Sequence, residues 1–486
     1  MPTCFTDLAQ QYIDGEWRPG TGSWDLIDFD PYDGEKLAAI TIATADEVDQ
    51  AYRAAARAQQ EWAAGSPYAR REVLEKALRL VEEREPEITE LIIAELGGTR
   101  LKAAFELHLV KEFLREAARL TLSPQGTVLP SPGEGKENRV YRVPVGVVGV
   151  ISPFNFPFLL SLKSVAPALA LGNAVVLKPH PNTPVTGGTL VAKIFEDAGL
   201  PAGLLNVVVT DIDEIGDAFL EHPVPKVISF TGSDAVGRHV ATVCARHFKR
   251  VVLELGGNSA LVVLGDADLD HAVDAAVFSR FVHQGQVCMA ANRVLVECSV
   301  AEEFTEKFVA RVRSLKCGDP RDPETVIGPL INSAQAAAVT ATVEQALAAG
   351  ATALVHGSVR DNLVEPTVLT GLPADSPLLR QEVFGPVVFL VPFDGEEEAV
   401  RIVNDSPYGL SGAVHTADVE RGVAFARRID TGMFHVNDGT VHDEPHVPFG
   451  GEKHSGIGRL NGESTVDAFT TLKWISVRHR RGSFPF

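Results

Sequence analysis

The sequence predicts an α/β protein with two successive strand–helix stretches behind an α-rich N-terminal part. Three observations carry that prediction. From Val140 onward, short continuous apolar runs alternate with helical segments of roughly ten to fifteen residues, the pattern of a parallel sheet. A second series of the same kind begins near Asn258. Before both, the apolar positions repeat at helical spacing. At 486 residues, the chain is long enough for roughly two to four domains.

The elements follow in order. Thr44 and Glu47 have capping-box spacing, and Val48, Ala51, Tyr52 and Ala55 then share one helical face. Ser66-Pro67 reads as an N-cap followed by proline at the first helical position. Val73, Leu74, Ala77, Leu78 and Val81 continue that helix, and 84–91 form another helical segment. Residues 123–137 are rich in Pro, Gly and Ser without apolar periodicity, so a loop or extended arm is expected there. Residues 145–151, 173–177, 204–209, 226–230 and 250–255 read as buried strands, with helices over 161–171 and 187–199. The second series has strands at 259–264 and 293–297 and helices at 269–281, 301–315 and 334–349. Residues 471–477 are again apolar and β-prone, and no internal repeat is evident.

Composition narrows the function. Hydrophobic residues make up 45% and charged residues 22%, proportions of a globular chain. A formal net charge of -20 repels phosphate backbones and argues against nucleic acid as a partner. The five cysteines form no CxxC pair, which argues against a disulfide framework or a zinc knuckle and suits reduced thiols in the cytoplasm. No metal-ligand set is expected. The N-terminus has no basic stretch followed by an apolar run, and no window approaches the roughly 18 apolar residues of a membrane helix. A soluble protein without a membrane partner is therefore expected.

Seven short stretches could carry chemistry. Cys288, in FVHQGQVCMAANR (281–293), sits between a glycine turn and a strand, where a cysteine can be exposed as a thiolate. Cys4, Cys244, Cys298 and Cys317 read as small buried apolar residues. Glu254, in LELGGN (253–258), ends a buried strand just before Gly-Gly; partial burial would raise its pKa and suit a general base. Asn155, in SPFNFP (152–157), follows a strand and can donate its amide to a developing oxyanion. Lys178 ends the strand of VLKP (176–179), where a cofactor ribose or phosphate could lie. FTGSDAVG (230–237) is strand, turn and helix, so its helix N-terminus could hold a pyrophosphate. In QEVFGP (381–386), Glu382 could accept from a ribose and Phe384 could pack on its ring. VPFGGEKHSGIGR (447–459) is a glycine-rich loop whose Phe449 could wall a substrate tunnel. Singly, each has an ordinary alternative: an inert buried cysteine, a helix-capping glutamate, an Asn turn, a solvated lysine or a surface turn.

Together and in this order, the seven stretches resemble the aldehyde dehydrogenase superfamily over about Ile13 to Val477. The resemblance implies a Rossmann-type cofactor domain (1–122 and 146–256) and an α/β catalytic domain (257–460). It also implies a small β oligomerisation arm (123–145 and 461–486). It assigns Cys288 as nucleophile, Glu254 as general base, and Asn155 with the Cys288 N–H as oxyanion donors. Ser152, Lys178, Gly232, Ser233, Gly237, Glu382 and Phe384 become cofactor contacts, and Phe156 and Phe449 become substrate walls. The cofactor is NAD+ by first choice. NADP+ use is left open, because Pro181 stands three residues after Lys178, where strict NAD+ users of the family commonly carry an acid. LKPHPNTPVTGG, HQGQVCMAANR and HVNDGTVHDEPHVPFGG look closest to the bacterial benzaldehyde and vanillin dehydrogenase branch, implying an aromatic aldehyde substrate and a homodimer or homotetramer. The competing readings are an aliphatic or semialdehyde dehydrogenase, a CoA-acylating relative, and a non-catalytic protein on the same scaffold.

Overall fold

Two sheets organise the computed structural model, which describes residues 4–123, 126–373, 375–484 and 486. The first has eight strands in the order Glu16–Arg18, Gln11–Ile13, Leu205–Val207, Ala174–Lys178, Val147–Ile151, Val227–Thr231, Arg250–Glu254 and Gly456–Ile457. Its five inner strands are parallel. The chain builds outward from Val147–Ile151 to Leu205–Val207, then returns to the other side through Val227–Thr231. That reversal makes a crevice beyond the carboxyl ends of the strands, the usual ligand site of an open parallel sheet. Ser152, Lys178, Gly232 and Glu254 all stand at or just beyond those ends.

The second sheet has seven strands, ordered Thr352–Val355, Thr367–Thr370, Val387–Phe393, Ala291–Glu297, Ser259–Val263, Gly412–His415 and His435–Val436. All its pairings are parallel except the first. Separate apolar clusters cover its two faces, whereas the first sheet sits within one large core. The strands are Val-rich because both faces are buried, which is what made them readable as continuous apolar runs.

The predicted caps form as expected. Thr44 and Glu47 make the capping box of Ala45–Ala64, and Ser66 Oγ accepts from the Tyr68 N–H at 3.2 Å to start Pro67–Glu83. The segment expected as a loop or arm contains a true strand, Gly126–Pro130, antiparallel to Lys136–Pro144, which pairs in turn with Thr470–Arg478. Residues 124 and 125 lie outside the described residues. Gly126–Pro130 is exposed along its whole length, so no burial imposed an apolar alternation on its sequence. The region expected as a helix over 187–199 opens as a π-turn, Val185–Thr189, and becomes α-helical only at Leu190–Asp197. The buried Glu95 carboxylate accepts the Val185 and Thr186 N–H groups there, each at 2.7 Å. Among the described residues, no helix is long and apolar enough to cross a membrane.

Candidate active site

Cys288 lies in the short connection between the turn Val282–Gly285 and the strand Ala291–Glu297. The approach to it is conformationally unusual. His283 and Gln284 have φ of 49° and 55°, and Gly285 follows at 74°. Left-handed non-glycine residues persist only where their surroundings over-determine them. Here Gln284 Nε2 donates to the Gly97 and Pro329 carbonyls at 3.1 and 2.9 Å. The buried Arg280 guanidinium donates to Gly285 O at 3.0 Å and Val383 O at 2.8 Å, and also to Gly385 O and Asn292 Oδ1. One arginine thus ties the cysteine loop to the loop that carries Glu382.

The Gly256-Gly257 pair after Glu254 is explained by what approaches it. A Cβ on Gly257 would lie 2.2 Å from the Cys288 carbonyl oxygen, and one on Gly256 would lie 2.5 Å from Glu382 Oε2. The Gly257 N–H donates to Glu382 Oε1 at 3.0 Å. Glycines are needed so that the Cys288 backbone and a second carboxylate can close on the strand end.

Glu254 is 6% exposed, and neither carboxylate oxygen has a hydrogen-bond partner among the described residues. Burial raises its pKa to about 8, with Lys163 and Arg459 opposing and Asp443 adding to the rise. A carboxylate in that state is poised to gain and lose a proton near neutrality. Burial pushes the Cys288 thiol up to about 12, and the Glu382 and Glu254 carboxylates push it further in the same direction. These surroundings disfavour the Cys288 thiolate in the free protein. Cys298 departs from expectation. It is exposed in the turn after its strand, while Cys244 is buried and Cys317 partly so. The Cys4 side chain lies outside the described part.

Asn155 is buried, and its Nδ2 donates to Gln286 O at 2.9 Å. Its second amide hydrogen has no protein acceptor among the described residues, which leaves it for an oxyanion. On that assignment, Asn155→Ala lowers turnover by about 10²–10³-fold; steady-state kcat on the folded variant measures it, and an unchanged kcat removes Asn155 from the oxyanion site.

Asn155, Glu254 and Cys288 line one narrow cavity. The rest of its wall is mainly apolar, and includes the two predicted wall residues, Phe156 and Phe449, with Phe105, Leu159 and Met289. Phe105 meets Phe156 edge-on with centroids 6.2 Å apart. Phe105, Lys163 and Asp443 are lining residues that the sequence reading did not select. Lys163 had a legible signal: it is the only charged residue in the helix Pro157–Ala170.

The crevice beyond the first sheet collects the predicted cofactor residues. Ser152 Oγ is buried with no partner among the described residues, as a ligand-facing hydroxyl would be. Burial lowers the Lys178 pKa, opposed by Asp211, and His180 is driven down to about 4 by burial and then by Lys178. Gly232 N donates to Glu254 O at 3.0 Å, and Ser233 Oγ accepts from the Val236 N–H at 3.4 Å, capping the helix Asp234–Arg246. Gly237 packs that helix against Leu255, where a Cβ would come within 2.4 Å. Phe384 meets Phe154 edge-on at 5.8 Å, and Phe154 meets His180 at 5.3 Å, a row of rings across the crevice. Burial raises Glu382 to about 7. An orphaned hydroxyl, a buried lysine, a helix N-terminus and an acceptor carboxylate are the donor set that a dinucleotide requires.

A crevice at the carboxyl ends of a parallel sheet, adjoining a buried cysteine, glutamate and asparagine, is the setting of an oxidoreductase of aldehydes. The chain belongs to the aldehyde dehydrogenase family, whose model matches residues 17–475. It is 58% identical over 482 residues to benzaldehyde dehydrogenase YfmT of Bacillus subtilis, covering 99% of each chain. It is 47% identical to a vanillin dehydrogenase of Corynebacterium glutamicum, covering 97% of this chain and 98% of that one. Among solved structures, an NAD-dependent benzaldehyde dehydrogenase from Corynebacterium glutamicum superposes with a TM-score of 0.91 at 43% identity, covering 99% of each chain.

Proposed function

We propose that this chain oxidises an aromatic aldehyde to its carboxylic acid with NAD+. The observation that carries the reading is the single cavity in which Cys288, Glu254 and Asn155 meet a wall of phenylalanines. A flat ring fits such a wall, and its aldehyde group then lies among the three polar side chains. The benzaldehyde and vanillin dehydrogenases among the relatives support the same substrate class.

Cys288 Sγ attacks the carbonyl carbon, and its proton leaves to solvent. Asn155 Nδ2 and the Cys288 N–H stabilise the resulting thiohemiacetal oxyanion. A bound NAD+ would supply the acceptor for the hydride of this carbon. The C–O bond then closes to a carbonyl and leaves a Cys288 thioester. Glu254 takes a proton from water, the hydroxyl oxygen adds to the acyl carbon, and the C–S bond breaks to release the acid, the Cys288 thiolate taking the proton back from Glu254. Glu254 argues against the CoA-acylating alternative, because a base placed for water serves hydrolysis. NAD-dependent relatives support NAD+ as cofactor. Asp211, which caps the short helix Ile212–Ile215, adds a carboxylate near Lys178 and His180 that disfavours a 2′-phosphate.

The division into a cofactor part (1–122 and 146–256), a catalytic part (257–460) and an arm (123–145 and 461–486) belongs to the same proposal. Exposed Val128, Leu129, Leu472 and Trp474 on the arm support assembly into a homodimer or homotetramer. The free cysteines support a cytoplasmic location. Initial rates of NADH and NADPH formation with benzaldehyde, vanillin, acetaldehyde and succinic semialdehyde test the function. NADH formation with the two aromatic aldehydes, at kcat/KM at least tenfold above the others, is expected. A preference for succinic semialdehyde sinks the aromatic assignment and keeps the chemistry.

A further inference from the structure

The proposed reaction leaves two charged residues of the cavity wall unused. Lys163 stands in the middle of the helix Pro157–Ala170, and Asp443 lies in the loop before Phe449. Their side chains are 2% and 6% exposed, and Lys163 Nζ lies 2.6 Å from Asp443 Oδ2. The ammonium also sits 3.4 Å from the centroid of the Phe449 ring and 5.2 Å from that of Phe113. Asp443 Oδ1 accepts from Asn461 Nδ2 at 2.8 Å.

A buried ion pair is a poor choice for packing alone. Desolvating both charges offsets their attraction, and an apolar pair of similar volume serves stability as well or better. The bonding capacity of this pair is also not exhausted. An ammonium has three N–H donors, and Lys163 makes one hydrogen bond among the described residues, to Asp443. Each carboxylate oxygen can accept more than one hydrogen. The pair therefore offers a donor and an acceptor side by side, in a wall otherwise dominated by Phe and Leu. Its charges cancel, so it gives a second anionic group on the substrate little attraction. A neutral hydroxyl is the small group that accepts from an ammonium and donates to a carboxylate at once.

We propose that Lys163 and Asp443 determine specificity by recognising a hydroxyl group on the ring of the aromatic aldehyde. This rests on the aromatic reading of the cavity and names the substituent that the cavity selects. A site built to hydrogen-bond a substrate hydroxyl discriminates against the analogue that lacks it, since its polar groups then go unmet.

The test measures kcat/KM for benzaldehyde, the three hydroxybenzaldehydes and the three methoxybenzaldehydes. The proteins are wild type, Asp443→Asn and the double variant Lys163→Met/Asp443→Leu, which removes both charges and strands neither. In wild type, at least one hydroxy isomer is expected to exceed both benzaldehyde and its methoxy counterpart by tenfold or more. In both variants, the hydroxy-to-benzaldehyde ratio is expected to fall at least fivefold. The ratio is decisive because any effect of the pair on Glu254 or Cys288 acts on every substrate and cancels. A wild-type enzyme that oxidises benzaldehyde with no such isomer preference overturns the proposal, even if neither variant folds. So does a variant that slows all substrates equally, which would make the pair a positioning device for Glu254. Failure of benzaldehyde itself, with good turnover of aliphatic aldehydes, instead overturns the aromatic reading beneath it.

Discussion

Replacing Cys288 by alanine is expected to abolish aldehyde oxidation, with kcat falling by at least about 10⁴-fold, the scale on which enzymes lose activity when a covalent nucleophile is removed. No other thiol among the described residues lines the cavity. Cys244 lies in the helix Asp234–Arg246, Cys298 in an exposed turn of the second sheet, and neither Cys298 nor Cys317 lines the cavity. The same variant should bind aldehyde without forming a thioester, so intact-mass measurement under turnover should find an acyl adduct on wild type and none on Cys288→Ala. The environment of the thiol adds a second expectation. With burial and two carboxylates holding its pKa at about 12, the thiolate fraction at pH 7 is small and rises about tenfold per pH unit. Alkylation of the free enzyme at Cys288 should therefore be slow at neutral pH and accelerate steadily as pH rises. Rapid, pH-independent alkylation would show that a cation, not two carboxylates, controls the sulfur.

The sheets and the three polar side chains that meet in the cavity were legible in the sequence for the same reason: both are short-range patterns. A strand buried on both faces must be continuously apolar, and a strand end facing a cleft must change character within a residue or two, as Leu253-Glu254-Leu255-Gly256 does. Long-range assembly was not legible. Phe105 reaches the cavity from the helix Arg100–Leu120, while Asp443 reaches it from the far end of the chain; nothing local marks either one as a neighbour of Cys288. The charge around Cys288 failed for the same reason, because Glu382 arrives through the hydrogen bond to the Gly257 N–H from more than a hundred residues away. The N-terminal hairpin was a different miss. Asp14-Gly15, both at positive φ, is a two-residue turn signal between Gln11–Ile13 and Glu16–Arg18, but strands of three residues give too little alternation to stand out. Gly126–Pro130 was read only as an extended segment, because an exposed strand with its partner on one side carries no apolar code.

Glu254→Gln should separate the two halves of the reaction. Glutamine keeps the shape but cannot take a proton, so the hydrolysis of the thioester loses its base and slows by about 10²–10⁴-fold. If deacylation becomes limiting, mixing the variant with NAD+ and a good aldehyde should give a burst of NADH near one equivalent per site, followed by a slow phase, with acyl-enzyme accumulating on Cys288. The pH dependence gives the sign of the assignment. Glu254 acts as a base only when deprotonated, and burial raises its pKa to about 8. Below that value the deprotonated fraction falls about tenfold per unit, so wild-type deacylation should climb with pH and level off above about 8. Lys163 and Arg459 pull that midpoint down and Asp443 pushes it up, so Asp443→Asn should move the limb toward acid. In Glu254→Gln, the limb should vanish and leave a low, flat profile. A limb that survives in the variant would falsify the assignment. It would pass the titration to Glu382, which burial raises to about 7 and which bonds the Gly257 N–H beside the Cys288 carbonyl. The two carboxylates differ in what they already hold. Glu382 is bound to a backbone N–H, whereas both Glu254 oxygens are without a partner among the described residues, and a base that must take a proton from water needs an oxygen that is free.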